Sequence, residues 1–301
     1  MKKMKWLTLV LVAAMAVLVF AGCGGKESGG SSADTGGSSA VAEEPAEEVE
    51  VVEEEVVEEP AEEVSAVSGN IMIAAAASLE NAFVEELIPL FNETYPAVFV
   101  TGTYDSSGKL QTQIEEGLEA DLFFSAALKQ MDALSDEGLI DTATRTDLLL
   151  NEVVLITGTQ TETAVTGFEN ITDAATIAIG DPESVPAGQY AQEVLTSLGI
   201  WDAVSAKASL GTNVTEVLTW VAEGSAEVGV VYATDAASEP DKVKVLATAP
   251  EGSLVTPVVY PVAMLTRVAD DQKEAAQAFL DFLTGTEALA VFESYGFKPY
   301  L

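Results

Sequence analysis

From residue 69 to the end of the chain, short apolar runs of strand length alternate with segments whose apolar residues recur at helical spacing. That alternation restricts the folded body to an α/β architecture. Its first unit sets the pattern. Residues 71–77 form an apolar run short enough for a strand, and Leu79, Phe83 and Leu87 then repeat every four residues, so a buried strand runs into a helix whose first residue is Ser78. A Ser at this changeover can cap the helix with its hydroxyl, while the free N–H groups of the first turn and the positive end of the dipole face outward. The result is a small anion site with no cation in it. Taken alone, such a Ser is an ordinary N-cap.

The rest of the body follows the same rule. Residues 97–104, 120–125 and 152–157 read as strands, 105–108 as a turn, and 109–116 and 129–137 as helices, with Leu110 and Ile114 inward and Gly138 as a stop. Further on, 176–180, 228–232, 243–247 and 258–265 read as strands, and 189–198, 214–223, 272–284 and 286–295 as helices. Asn213 as N-cap with Glu216 three residues on makes a capping-box-like start. Such alternation implies mostly parallel sheet, helices on both faces, and ligands at the carboxyl ends of strands. Four loop-to-helix starts fall at strand ends: Ser78, Ser107-Gly108, Pro186-Ala187-Gly188 and Asn213-Val214. Together they suggest a crevice lined with neutral N–H and O–H donors. Fixed neutral dipoles hold a dehydrated oxyanion without an ion pair and allow its release.

Composition removes most alternatives. The chain of 301 residues contains no His and one Cys, so no Ser-His-Asp or Cys-His nucleophile pair, His or Cys zinc cluster, or intramolecular disulfide can be built. The formal charge of -36 opposes nucleic acid and anionic membrane surfaces, and nucleic-acid binding is set aside. No G-x-G-x-x-G, phosphate loop or G-x-S-x-G elbow is present.

The first 68 residues read differently from the body. Lys2, Lys3 and Lys5 precede an uncharged apolar run from Trp6 to Phe20, followed by Ala21-Gly22-Cys23-Gly24-Gly25, which is the pattern of a secretory signal with a small-residue processing site. The segment resembles a bacterial lipoprotein signal with Phe20-Ala21-Gly22-Cys23 as the lipobox, Phe20 standing where Leu is usual. That resemblance implies a signal peptide over 1–22 and a mature chain acylated at Cys23, tethered to a membrane and facing outward. Residues 24–68 begin Gly/Ser-rich and become a Glu/Val/Pro/Ala run with twelve Glu between Glu43 and Glu63. Like charges and the lack of aromatic residues predict an extended, disordered acidic tether over 23–68. The signal carries +3 and residues 24–68 carry -13, which leaves -26 for residues 69–301. The folded body is itself acidic.

Five motifs in chain order carry a second resemblance: Ala75-Ala76-Ala77-Ser78-Leu79, Ser106-Ser107-Gly108-Lys109-Leu110, residues 120–126, the Gly180-Asp181-Pro182 to Pro186-Ala187-Gly188 loop with Tyr190, and Val231-Tyr232-Ala233-Thr234-Asp235. From about residue 70 to the end, the chain resembles the molybdate-binding proteins of bacterial molybdate ABC importers. The resemblance implies a type II periplasmic binding protein fold of two α/β lobes: residues 69–151 and 259–301 in lobe 1, and 152–258 in lobe 2. It implies hinge closure on a ligand between them. Position by position, the oxyanion would be held by the hydroxyls of Ser78, Ser107 and Tyr232 and the backbone N–H groups of Ala187 and Val214, with no protein atom on the metal itself. Ser78 and Ser107 would come from one lobe, the other three from the other. No cofactor is implied. The ligand would be molybdate or tungstate, and the partners an importer permease with its ATPase and a membrane reached through Cys23, around a monomeric receptor. The acidic tether lies outside the family pattern.

Four charged residues have plain readings beside the motifs. Lys109 points to solvent rather than to the oxyanion, Arg145 is a surface or hinge residue, Asp121 braces a neighbouring turn, and Asp235 caps the stretch after Tyr232. None is given a catalytic role, since a carboxylate lining the site would repel the ligand. Rival readings are a receptor for sulfate, phosphate or a small carboxylate, an enzyme using paired carboxylates, and a purely structural surface protein. The matched motifs contain no acceptor for a phosphate proton and no Arg for a carboxylate. Sulfate differs from molybdate mainly in size.

Overall fold

The computed structural model describes residues 66–300. The signal over 1–22, Cys23 and nearly all of the 23–68 tether lie outside the described residues. The strands, in chain order, are β1 (Gly69–Ala76), β2 (Val98–Asp105), β3 (Leu122–Phe124), β4 (Thr146–Asn151), β5 (Val153–Gly158), β6 (Ile177–Gly180), β7 (Ala208–Gly211), β8 (Val228–Tyr232), β9 (Val243–Thr248), β10 (Val258–Met264) and β11 (Lys298–Pro299). They form two sheets flanked by helices, one ordered β11-β4-β10-β3-β1-β2 and the other β7-β6-β8-β5-β9. The chain leaves the first sheet after Asn151, enters the second at Val153, and returns between Thr248 and Val258.

Both sheets are mixed. β1 runs parallel to β2 and β3, and β6 runs parallel to β7 and β8, as strand–helix–strand crossovers require. β10 is antiparallel to β3 and β4, β11 to β4, and β5 to β8 and β9. The parallel pairing expected from the alternation therefore holds within the crossover units and not for the strands beside the two crossings. No helical crossover fixes the direction of a strand that arrives from the other sheet.

Side-chain alternation on the strands separates two cores. Ile71, Ile73 and Ala75 of β1, with Leu122 and Phe124 of β3, face a large core that also takes Phe83, Phe91, Phe279 and Phe292. Ala74 and Phe123 face the opposite side, against Leu110, Ile114, Met131 and Leu134 of the helices Ser107–Glu115 and Leu128–Asp136. Phe83 is the hub of the first core, with the rings of Tyr104, Phe124, Phe279 and Phe292 centred 6.0 to 6.3 Å away. Burying one such ring stabilises the fold by roughly 1.5–3 kcal/mol.

Candidate functional site

The residues singled out in the sequence stand where strands give way to helices. After β1 the chain coils at once through Ala77–Leu79, and Ser78 lies inside that first turn, not before it. The expected N-cap role is therefore corrected. The N-cap is Ala76, no side chain caps the turn, and the Ser78 hydroxyl is bonded instead to Tyr260 Oη at 2.9 Å. After β2, Ser106 is the N-cap of the helix Ser107–Glu115, yet its hydroxyl makes no capping bond. Pro186 opens the helix Pro186–Ser197 behind an N-cap, Val185, that has no side chain able to cap. Asn213 does cap the helix Val214–Ala222: its Oδ1 accepts the Glu216 N–H at 2.9 Å, and Glu216 Oε2 accepts the Thr212 N–H at 2.7 Å. Tyr232 ends β8 immediately before the helix Ala233–Ser238.

All five residues meet. Ser78, Ser107, Ala187, Val214 and Tyr232 line one small cavity, together with Asp105, Ser106 and Ala126. Ser107, Ala187, Val214 and Tyr232 are buried and Ser78 is half-buried. Residues at the starts of four helices line this space, which brings the positive ends of those helices to it. No Lys or Arg is among the lining residues.

Ser107 Oγ accepts the Ala126 N–H at 2.9 Å. The Tyr232 ring sits edge-on between Tyr190 at 6.4 Å and Tyr260 at 5.7 Å, only 1% exposed, and its hydroxyl has no hydrogen-bond partner. Burial, with the negative ends of neighbouring groups adding to it, drives the Tyr232 pKa well up, so the hydroxyl keeps its proton. The buried Ser106 hydroxyl is likewise unpartnered. Two orphan hydroxyls on one cavity wall are costly unless something in the cavity accepts from them.

The structure adds groups that the motifs did not reveal. Asp105 lines the cavity, against the expectation that no carboxylate would, and its charge is already engaged. It takes the Ser106 N–H at 2.7 Å, the Lys109 ammonium at 3.1 Å and Asn213 Nδ2 at 3.3 Å. Lys109 is thus held by this carboxylate instead of pointing freely to solvent. Asp121 accepts the Met72 N–H at 2.7 Å, so it braces β1. Half-buried Arg145 pairs with Asp132 at 2.6 Å and Asp147 at 3.7 Å. Asp235 accepts the Tyr232 N–H at 2.9 Å, the capping role read from the sequence, and burial outweighs that bond to push its pKa up to about 7.

Two further contacts join the parts of the chain that carry the two sheets. Gly108 N–H donates to the Ser184 carbonyl at 3.0 Å, an approach so close that a Cβ on Gly108 would run into that carbonyl. Gln130 Nε2 donates to Gln189 Oε1 at 3.2 Å. Among the described residues, no group of three or more His, Cys, Asp or Glu is placed to hold a metal ion, and no helix is long and apolar enough to cross a membrane.

Comparison with known proteins agrees with this architecture. Residues 71–298 match the family described as bacterial extracellular solute-binding protein. The chain is 40% identical over 225 residues, covering 75% of itself and 85% of the relative, to a Bacillus subtilis (strain 168) protein designated an ABC transporter substrate-binding lipoprotein. It is also 40% identical over 235 residues to the molybdate-binding protein ModA of Escherichia coli (strain K12), covering 76% of this chain and 89% of that one. A solved Clostridium difficile structure, designated the substrate-binding domain of a molybdenum ABC transporter, superposes with a TM-score of 0.59 at 38% identity. That match covers 77% of this chain and 99% of the other.

Proposed function

Because the chain belongs to the bacterial extracellular solute-binding protein family, we propose that it is an extracytoplasmic receptor that captures molybdate or tungstate and delivers it to the permease and ATPase of an ABC importer. The observation that carries this reading is the cavity itself. Four hydroxyls, those of Ser78, Ser106, Ser107 and Tyr232, and the starts of four helices line it, no cation does, and its one carboxylate is already paired. A tetrahedral oxyanion supplies only acceptors, and neutral donors suffice to hold it. In this reading Ser78, Ser107 and Tyr232 donate through their hydroxyls, and Ala187 and Val214 through their N–H groups. The protein acts by binding and release and performs no catalysis. The likenesses to a molybdate-binding protein and to a molybdenum transporter domain support the choice of ligand. Calorimetric titration with molybdate, tungstate, sulfate and phosphate tests it; no heat with the first two would reject it.

The anchor belongs to the same proposal. Lipid at Cys23 and an acidic tether would hold a monomeric receptor at the outer face of the membrane, and the similarity to a protein designated a lipoprotein supports this. Deleting residues 28–66 should leave affinity unchanged. A shortened chain that lost affinity or unfolded would overturn the tether reading.

Binding should also respond to pH through Asp235. Its pKa in the fold is raised to about 7, whereas an unfolded Asp titrates near 3.9. The buried neutral form therefore contributes stability in full below the unfolded value, and the contribution is lost as pH rises through about 7. Ionisation also places a negative charge behind Tyr232. Melting temperature should fall as pH rises from about 4 to about 7 and level off above, oxyanion affinity should fall across neutrality as the folded group ionises, and Asp235→Asn should flatten both curves. Superimposable profiles for the two proteins would refute the assignment.

A further inference from the structure

Tyr260 and Asn151 do not line the cavity, yet we propose that they are positioning residues which fix the Ser78 hydroxyl as a donor and so make the site select fully deprotonated oxyanions. The inference rests on the reading of the cavity as an oxyanion site. It begins at the crossings between the two halves. Asn151 ends β4, and its backbone pairs with Val258 at the start of β10, the strand that carries Tyr260.

The direction of each hydrogen in this cluster follows from what its partners can accept. Asn151 Oδ1 takes the Glu152 N–H at 2.8 Å, which fixes the way round of the amide. Its Nδ2 then faces Thr234 Oγ1 at 2.9 Å and Tyr260 Oη at 3.2 Å. An amide nitrogen only donates, so Tyr260 Oη must accept. Tyr260 is fully buried and has one hydrogen left to place; the neighbouring Tyr232 hydroxyl is not within hydrogen-bond geometry, which leaves Ser78 Oγ at 2.9 Å as the acceptor. Tyr260 therefore donates to Ser78. With that lone pair taken, the hydrogen of Ser78 is released toward the cavity. Ser107 is set the same way by a different donor, since its Oγ accepts the Ala126 N–H.

Both serine hydroxyls thus present hydrogens to the ligand. Molybdate, tungstate and sulfate offer acceptors at every oxygen and match them. Hydrogen phosphate brings its own O–H, which then meets donors in place of an acceptor. The unpaired meeting should cost it tenfold or more in affinity by order of magnitude. The discrimination is written in hydrogen direction, with the orientation supplied from the crossing between the two sheets.

Tyr260→Phe keeps a ring against Tyr232 and Phe297 and removes the hydrogen that Ser78 accepts. Ser78 can then turn a lone pair inward. Asn151→Asp reverses the relay, because the carboxylate accepts from Tyr260, which in turn accepts from Ser78. Titrations of the full chain with molybdate and with hydrogen phosphate, above neutral pH where both are dianions, read the effect as the ratio of the two dissociation constants. Added charge acts alike on both ions and leaves the ratio alone. The expected result is weaker molybdate binding and a ratio narrowed by about tenfold in Tyr260→Phe, and at least as much in Asn151→Asp. A ratio unchanged in a variant that melts cooperatively would overturn the relay. Absence of molybdate binding by the wild-type chain would instead remove the oxyanion reading beneath it.

Discussion

Tyr232→Phe should weaken molybdate binding about tenfold to hundredfold while leaving the empty protein as stable as before or slightly more so. A hydrogen bond to a charged group is worth roughly 1.5–3 kcal/mol, and tenfold in affinity corresponds to about 1.4 kcal/mol. The Tyr232 hydroxyl is buried without a partner, so removing it relieves the empty state and deprives the liganded one. Ser107→Ala should lose as much affinity but also stability, because Ser107 Oγ accepts the Ala126 N–H. Ser78→Ala should do the same, leaving the Tyr260 hydroxyl with no acceptor. The three substitutions therefore share a direction in affinity and differ in melting temperature. Calorimetry and thermal melts on the same preparations read both, and wild-type affinity in all three would sink the site assignment.

Much of this arrangement was legible because local chemistry decides it. The alternating apolar runs set the strands and helices, and the Asn213 cap with Glu216 follows from residue types three apart. The five candidate residues sit at helix starts, and parallel strand–helix units deliver helix starts to one edge of a sheet. Other features depend on partners distant in the chain. Ser78 looked like a cap because its neighbours are helical, yet its hydroxyl is claimed by Tyr260, 182 residues away. Residues 146–151 form β4 although only the apolar run after them read as a strand. The one-residue step at Glu152, where the chain changes sheets, leaves no mark on hydrophobic period. Asp105 lines the cavity despite its charge because Lys109, one helical turn on, and Asn213 from the other half both reach it. The short strands β7 and β11 take their identity from the sheets they join.

Molybdate and tungstate should bind within a small factor of each other, and sulfate far more weakly. Since the Asp105 carboxylate at the cavity wall is already paired with Lys109, and no cation lines the space, total charge cannot separate one dianion from another. Discrimination must come from fit when the halves meet. Gly108 N–H already touches the Ser184 carbonyl, and a Cβ there would collide, so the halves cannot close further on a smaller ion. Sulfate has shorter bonds from its central atom to oxygen than molybdate or tungstate, and in a cavity of fixed width some donors would go unpaired. Each buried donor left unsatisfied costs about 1–3 kcal/mol, and several losses add to a preference of orders of magnitude. The order should persist as salt is raised, because buried contacts are screened far less than surface ones. Competition titrations at low and high ionic strength measure it directly. Sulfate binding as tightly as molybdate would reject both the fit mechanism and the molybdate assignment.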